Sequence, residues 1–160
     1  MTLNDQSRPS PAAGLGLFVL RLGLGIVFVM HGWQKLFQMG IPGVAGFFGM
    51  VGVPAPEVAA TLVSVVELAG GLALLIGLFT RWVAIPLAID MLVAALLVHM
   101  QGGFFAPDGV EMVLMPLAGS IALVLTGPGS FTLDGLLTRR QPANAVRNER
   151  LGAFAGQRGG

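Results

Sequence analysis

The sequence contains no cysteine and carries little charge. The absence of cysteine excludes disulfides, thiol redox relays, cysteine-ligated iron–sulfur clusters and cysteine-type zinc sites. Charged residues make up 11% of the 160 residues, whereas a soluble domain carries about 25%. The formal net charge of +1 gives no basic field that would attract nucleic acid. Because 54% of the residues are hydrophobic, the chain cannot cover a water-facing surface, and we predict an integral membrane protein.

Four apolar stretches, separated by clusters of glycine and proline, approach the length that a bilayer requires, about 20 residues per helix. The predicted spans are residues 14–37, 54–79, 82–100 and 110–126. Only one or two residues join the second span to the third, so these two form an antiparallel hairpin. We therefore predict an all-α, antiparallel four-helix membrane bundle. Between its first two helices, the short segment 44–48 would lie at the interface or fold back over the bundle.

The ends of the chain differ in composition from this predicted membrane domain, residues 14–137. Residues 1–13 form a polar tail, and residues 138–160 form a basic tail that we predict to be disordered. With four spans, both termini lie on one side, together with eight of the nine lysine and arginine residues. The positive-inside rule then predicts a multi-pass protein of a bacterial or archaeal inner membrane, with both termini in the cytoplasm.

Ionisable residues inside the predicted spans are the first candidates for function, because charge within a bilayer is costly. Lys35 and Glu67 are candidate catalytic residues, with Glu67 near mid-membrane as a proton relay. His31 and His99 are the only two histidines, and both fall about 25 Å from the cytoplasmic ends of their helices. Together with Glu111, these four residues are predicted to form an outward-facing ligand-binding pocket.

Arg21 and Asp90 are predicted to form a second layer of charge, nearer the cytoplasmic side than His31 and His99. The helical rise places them about 10–12 Å from the cytoplasmic ends of their helices. Because buried charges are normally paired, we predict that they form a structural ion pair. Asp90 and His99 are nine residues apart, about 180° around an ideal helix. They therefore serve different neighbours, or the helix frays before His99.

Several ligands fit the donors of the predicted pocket. A quinone headgroup needs hydrogen-bond donors for two carbonyl oxygens and a source of protons. Two facing histidines could instead hold a b-type haem, and His31, His99 and Glu111 have the ligand chemistry for a metal. The simpler alternative is that the histidines are interfacial residues with satisfied hydrogen bonds, and that Lys35 snorkels to the interface.

Four short motifs occur in a fixed order along the chain. They are His31-Gly32-Trp33-Gln34-Lys35, Glu67-Leu68-Ala69-Gly70-Gly71, the loop from His99 to Glu111, and Gly127-Pro128-Gly129 followed by Leu133-Asp134. This set resembles the DoxX family of small four-helix membrane proteins over residues 15–136. The family is named for a subunit of an archaeal thiosulfate:quinone oxidoreductase, and other members look like parts of membrane-bound oxidoreductase complexes.

The resemblance implies a membrane subunit of a quinone-linked oxidoreductase system. Such a subunit would bind a quinone or a small redox ligand in the outward-facing pocket and would work with partner oxidoreductase subunits or a second copy of the chain. The composition predicts the lipid bilayer as the surroundings, and the net charge of +1 predicts no nucleic-acid partner. The alternative from another class is a non-enzymatic membrane scaffold or small-solute carrier, whose polar layers serve packing or transport.

Overall fold

The computed structural model describes residues 10–105 and 109–138 of the chain. Within these ranges the regular structure is entirely helical, which confirms the predicted all-α fold. The α-helices are α1 (Pro11–Trp33), α2 (Gly40–Met50), α3 (Pro56–Ile76), α4 (Thr80–Ala94), α5 (Glu111–Thr126) and α6 (Leu133–Thr138). Two π-helical segments interrupt them, the first at Gln34–Met39 and the second at Ala95–His99, which a 3-10 turn at Met100–Gly102 follows. The proposed disorder of the basic tail concerns residues 138–160, of which only Thr138, the last residue of α6, lies within the described ranges.

Helices long and apolar enough to cross a bilayer dominate the described part of the chain. Three stretches qualify: Pro11–Met50, Pro56–Ile76 and Thr80–Gly102. The fourth predicted span is the shorter helix α5, with 16 residues. Large apolar side chains cover the outside of the bundle, among them Trp82, which is 74% exposed. Apolar surface of this extent is stable against lipid rather than water, so the structure is that of a membrane helical bundle.

The first helical stretch is longer at both ends than the sequence predicted. The Ser10 hydroxyl caps α1 by accepting a hydrogen bond from the Ala13 N–H, and Pro11 occupies the first turn, where proline is tolerated. At the other end the predicted break at residues 38–54 is wrong over α2. After a kink at Gly40, with φ at +71°, the chain is helical again. Side chains of segment 44–48 pack against the start of α3.

Helices α1 and α3 run antiparallel and form the most extensive interface of the bundle. Glycines allow their backbones to approach closely. A Cβ at Gly32 would overlap the backbone nitrogen of Leu68, and a Cβ at Gly71 would lie 2.6 Å from the Val29 nitrogen. Small residues on both helices therefore fix the register, which determines which polar side chains meet across the interface.

Arg21 closes the end of the bundle opposite Lys35, which we call the Arg21 end. Its side chain is fully buried, and its Nη2 donates to the carbonyl oxygens of Phe131, at 2.8 Å, and Ser130, at 3.4 Å. The guanidinium also lies over the Phe18 ring, 5.4 Å from its centroid. The Ser130 N–H donates to the Gly14 carbonyl at 3.0 Å. The segment that follows α5 is thereby held against α1.

The tight turn between α3 and α4 is held by the same C-terminal segment. Phe79 adopts a left-handed conformation, with φ at +46°, and its N–H donates to Oδ2 of Asp134 at 2.8 Å. Gly77 is also left-handed, with φ at +70°, and packs against the Arg21 guanidinium. Arg81 donates to the Thr126 carbonyl at 3.2 Å, near the end of α5. The Gly-Pro-Gly motif and Asp134 therefore belong to the structural closure of the bundle.

The structure does not form the predicted ion pair between Arg21 and Asp90. The α1–α3 register places Arg21 beside Gly77, at the level of the α3–α4 turn. Asp90 lies ten residues into α4, about 15 Å further along the bundle. The predicted depths of Arg21 and Asp90 were measured from the starts of their own helices, but α1 and α4 do not start at the same depth. The first residues of α1 extend beyond the α3–α4 turn and pack against residues 129–131.

The glycine interface between α1 and α3 gives a matched stability test. Gly32→Ala should lower the free energy of unfolding by about 1–3 kcal/mol, because the added Cβ has no space and one of the two helices must shift. Gly23→Ala is the control, since Gly23 lies on the same helix and a Cβ added there would have nothing within 4 Å. It should leave stability unchanged or raise it by up to about 1 kcal/mol. Thermal unfolding in detergent measures both, and equal melting temperatures for the two variants would contradict the packing at Gly32.

Candidate functional site

A cavity of about 430 Å³ lies in the half of the bundle that contains Lys35. Helices α1 to α5 and both π segments contribute to its wall. Sixteen of its 22 lining residues are apolar or proline, and the other six bring polar groups into the same space. These six are His31, Gln34, Lys35, Glu67, Asp90 and His99. Pockets for small ligands typically measure about 300–1,000 Å³ and combine an apolar wall with a few convergent polar groups.

The ion pair between Lys35 and Glu67 is the centre of this polar set. The Lys35 Nζ lies 2.5 Å from Oε2 of Glu67. The Glu67 side chain is only 2% exposed, whereas the Lys35 side chain is 19% exposed and reaches in from the first π segment. The close α1–α3 packing around Gly32 and Leu68 brings the two residues opposite one another. Both predicted catalytic residues therefore meet directly.

Asp90 joins the ion pair from α4. Its carboxyl is near enough to Glu67 for a side-chain hydrogen bond between them. Its Oδ2 atom is buried, and no N–H or O–H group of the described residues donates to it. The hairpin geometry explains the meeting: Glu67 lies nine residues before the end of α3 and Asp90 ten residues after the start of α4, about 14 and 15 Å from the turn.

The second π segment allows Asp90 and His99 to line the same cavity. In a continuous α-helix they would be about 180° apart, but a π turn accommodates one extra residue. The angular separation then falls to about 80°. Both residues line the cavity wall, and the regular α-helix ends at Ala94, which agrees with the predicted alternative that the helix changes before His99. On α1, His31 also lines the cavity, although the residue is partly open to the outside of the bundle.

The cavity opens at the surface of the bundle between helices. Phe47 of α2, Val93 of α4 and Met112 of α5 all line it, and they are 37%, 42% and 58% exposed respectively. These side chains belong to the apolar outer surface of the bundle. A lipid-soluble molecule could therefore enter sideways without crossing a charged surface.

The structure brings together most, though not all, of the predicted pocket residues. Lys35, Glu67, His31 and His99 line one cavity, whereas Glu111 lies in the first turn of α5 and is not part of the lining. Among the residues that the structure describes, no three histidine or acidic side chains are grouped closely enough to hold a metal ion. The geometry does not support the metal site considered for His31, His99 and Glu111.

Sequence reasoning misses two members of the site, Gln34 and Asp90. Gln34 lies within the first motif but is not singled out there as a ligand-binding residue. Asp90 is predicted to pair with Arg21. Counting residues from the α3–α4 turn, back along α3 and forward along α4, would instead place Asp90 level with Glu67.

Comparison with known proteins gives a consistent result. The family model described as DoxX matches residues 16–100. An uncharacterized membrane protein of Mycobacterium tuberculosis is 37% identical over 142 residues, covering 80% of this chain and 85% of the relative. The Escherichia coli inner membrane protein YqjF is 33% identical over 131 residues, covering 79% of this chain and 95% of the relative. No solved structure matches the chain.

A further relative carries a name that suggests chemistry. The Bacillus subtilis protein named "Putative oxidoreductase CatD" is 35% identical over 120 residues, which cover 75% of this chain and 85% of that protein. The family model spans more than half of the chain, and these relatives align over most of their own lengths. The chain is therefore a membrane protein that belongs to the DoxX family.

Proposed function

We propose that this protein is the membrane subunit of a quinone-linked oxidoreductase system and binds a quinone headgroup in the cavity around Lys35 and Glu67. The observation that carries the proposal is a largely apolar cavity of about 430 Å³, between helices long and apolar enough to cross a membrane, with the Lys35–Glu67 ion pair in its wall. The cavity opens onto the lipid-facing surface, which suits a lipid-soluble ligand. The name of the Bacillus subtilis relative points to the same broad chemistry.

The donors of the cavity fit the carbonyl oxygens of a quinone ring. The Lys35 ammonium has three N–H donors, and its bond to Glu67 uses one of them. The remaining donors can meet one carbonyl oxygen, while Glu67 holds the lysine in position and passes protons to it. Three further residues stand around the same space and supply donors for the second oxygen: His31, His99 and Gln34. Aromatic residues offer apolar surface to the ring, namely Phe28, Phe47 and Phe48.

A bound quinone would supply the two-electron redox chemistry that the protein side chains lack. The chain has no cysteine and so provides no thiol couple of its own. Electrons would come from a partner redox subunit at the membrane surface. By the charge distribution, the cavity faces the outer side of the membrane and both termini are cytoplasmic.

Filling the cavity gives a test that leaves the ion pair intact. Ala59→Phe should abolish retention of quinone, because Ala59 lines the cavity on α3. Ala69→Phe is the control, since Ala69 is exposed on the same helix and is not part of the lining. Protein purified from native membranes is extracted with organic solvent, and the quinone is quantified per folded chain after size-exclusion chromatography.

The expected result is quinone in the wild type and in Ala69→Phe, and little or none in Ala59→Phe. Equal quinone in both variants would contradict binding in this cavity. A haem Soret band in the wild type, with no quinone in the extract, would overturn the proposal in favour of the bis-histidine alternative.

Separate replacement of the two histidines tests whether they bind the ligand or stabilise the bundle. His31→Ala and His99→Ala should each weaken binding of decyl-ubiquinone about two- to tenfold, the loss of one hydrogen bond worth about 0.5–1.5 kcal/mol. Neither side chain is fully buried, so the melting temperature should change little. Calorimetric titration and thermal unfolding in the same detergent measure the two effects. A lower melting temperature with unchanged affinity would show a structural role and contradict the assignment.

A further inference from the structure

We propose that Asp90 and Glu67 share one proton when the cavity is empty, and that the resulting acid O–H donates a hydrogen bond to a carbonyl oxygen of the ligand. The inference adds Asp90 to the ligand-binding groups and makes binding dependent on pH. It rests on the proposed function only for the identity of the ligand. The sharing of the proton concerns the protein alone.

The contact between the two carboxyl groups requires a proton. An ionised carboxylate only accepts hydrogen bonds, so a carboxyl–carboxyl hydrogen bond forms only when one of the two is protonated. Asp90 lies within side-chain hydrogen-bonding reach of Glu67. Its buried Oδ2 receives no N–H or O–H donor from the described residues, so no hydrogen bond from them stabilises a negative charge on that atom.

The charges around the pair lead to the same requirement. Helix α1 presents His31 to the cavity, and the two π segments present Lys35 and His99. The cavity residues of α2 and α5 are apolar or proline. The Lys35 ammonium neutralises one carboxylate, and the second remains uncompensated in a largely apolar wall unless it binds a proton. Isolated buried charge is costly, and protonation of an acid avoids that cost.

A protonated acid in an apolar site is a hydrogen-bond donor. When the ligand binds, this O–H turns from the partner carboxylate to the ligand, and the cavity then offers two strong donors close together, the Lys35 ammonium and the acid O–H of the Asp90–Glu67 pair. A carbonyl oxygen has two lone pairs, so one carbonyl oxygen of a neutral ligand can accept from both at once. When the pair loses its proton, a carboxylate faces the carbonyl oxygen and repels it. Affinity for a neutral quinone should therefore fall as the pH rises.

Infrared spectroscopy of the ligand-free protein in lipid vesicles tests the shared proton directly. A pH titration of the wild type should show the carbonyl stretch of a protonated carboxylic acid, which disappears at high pH. Asp90→Asn and Glu67→Gln should each remove this band. Glu57→Gln is the matched control, because Glu57 is an exposed glutamate on the same helix as Glu67. It should keep the band. Retention of the band in Asp90→Asn would overturn the proposal.

Binding of decyl-ubiquinone across a pH series tests the donor role. Asp90→Asn retains an N–H donor, so its affinity should stay within about threefold of the wild type at low pH but no longer depend on pH. His31→Gln and His99→Gln should keep the pH dependence even where affinity is lower. An unchanged pH dependence in Asp90→Asn, or its loss in a histidine variant, would overturn the proposal. If decyl-ubiquinone does not bind the wild type at all, the proposed function fails, while the infrared result still decides whether the proton is shared.

Discussion

The ion pair between Lys35 and Glu67 is the interaction on which the cavity-containing half of this bundle depends. It joins the first π segment to α3, next to the close approach of α1 and α3 at Gly32 and Leu68, and both of its residues line the cavity. Stability alone does not explain its presence. Replacing a buried ion pair by apolar residues of similar volume is often neutral or stabilising by about 1–4 kcal/mol, whereas losing one partner costs about 3–5 kcal/mol. We therefore propose that this pair, which packing could replace and which stands in the wall of a cavity, is part of a binding site.

The two ends of the bundle use polar groups in different ways. At the Arg21 end, a buried guanidinium and Asp134 bind backbone groups of the loop after α5 and of the α3–α4 turn, and this joins the helices. At the other end, polar side chains face a cavity, and both helices that carry histidine lead into π segments there. Segments of this kind are frequent at functional sites because they change the direction of side chains within a helix. The cavity and the structural closure therefore lie at opposite ends of the bundle.

The membrane class, the all-α bundle and the family could be predicted from the sequence, because these depend on composition and on short motifs. Lys35, Glu67, His31 and His99, which line one cavity, could also be selected from it. The prediction failed for Asp90, because depth was counted from helix ends that the sequence locates to within a few residues, and an error of three residues is about 5 Å. Arg21 was misassigned because its acceptors are backbone carbonyls of a distant loop, which leave no mark in the sequence. The π segments likewise have no clear sequence signal.

The most direct test of the central claim is to neutralise the Lys35–Glu67 pair on both sides. Lys35→Gln, Glu67→Gln and the double variant are compared by thermal unfolding and by decyl-ubiquinone binding in the same detergent. The account predicts that each single variant is destabilised and that the double variant recovers much of this loss, because no unpaired charge remains. It also predicts that the double variant nevertheless binds decyl-ubiquinone at least about tenfold more weakly than the wild type, a loss of about 1.4 kcal/mol. A folded double variant with wild-type affinity would show that the pair only holds the helices together.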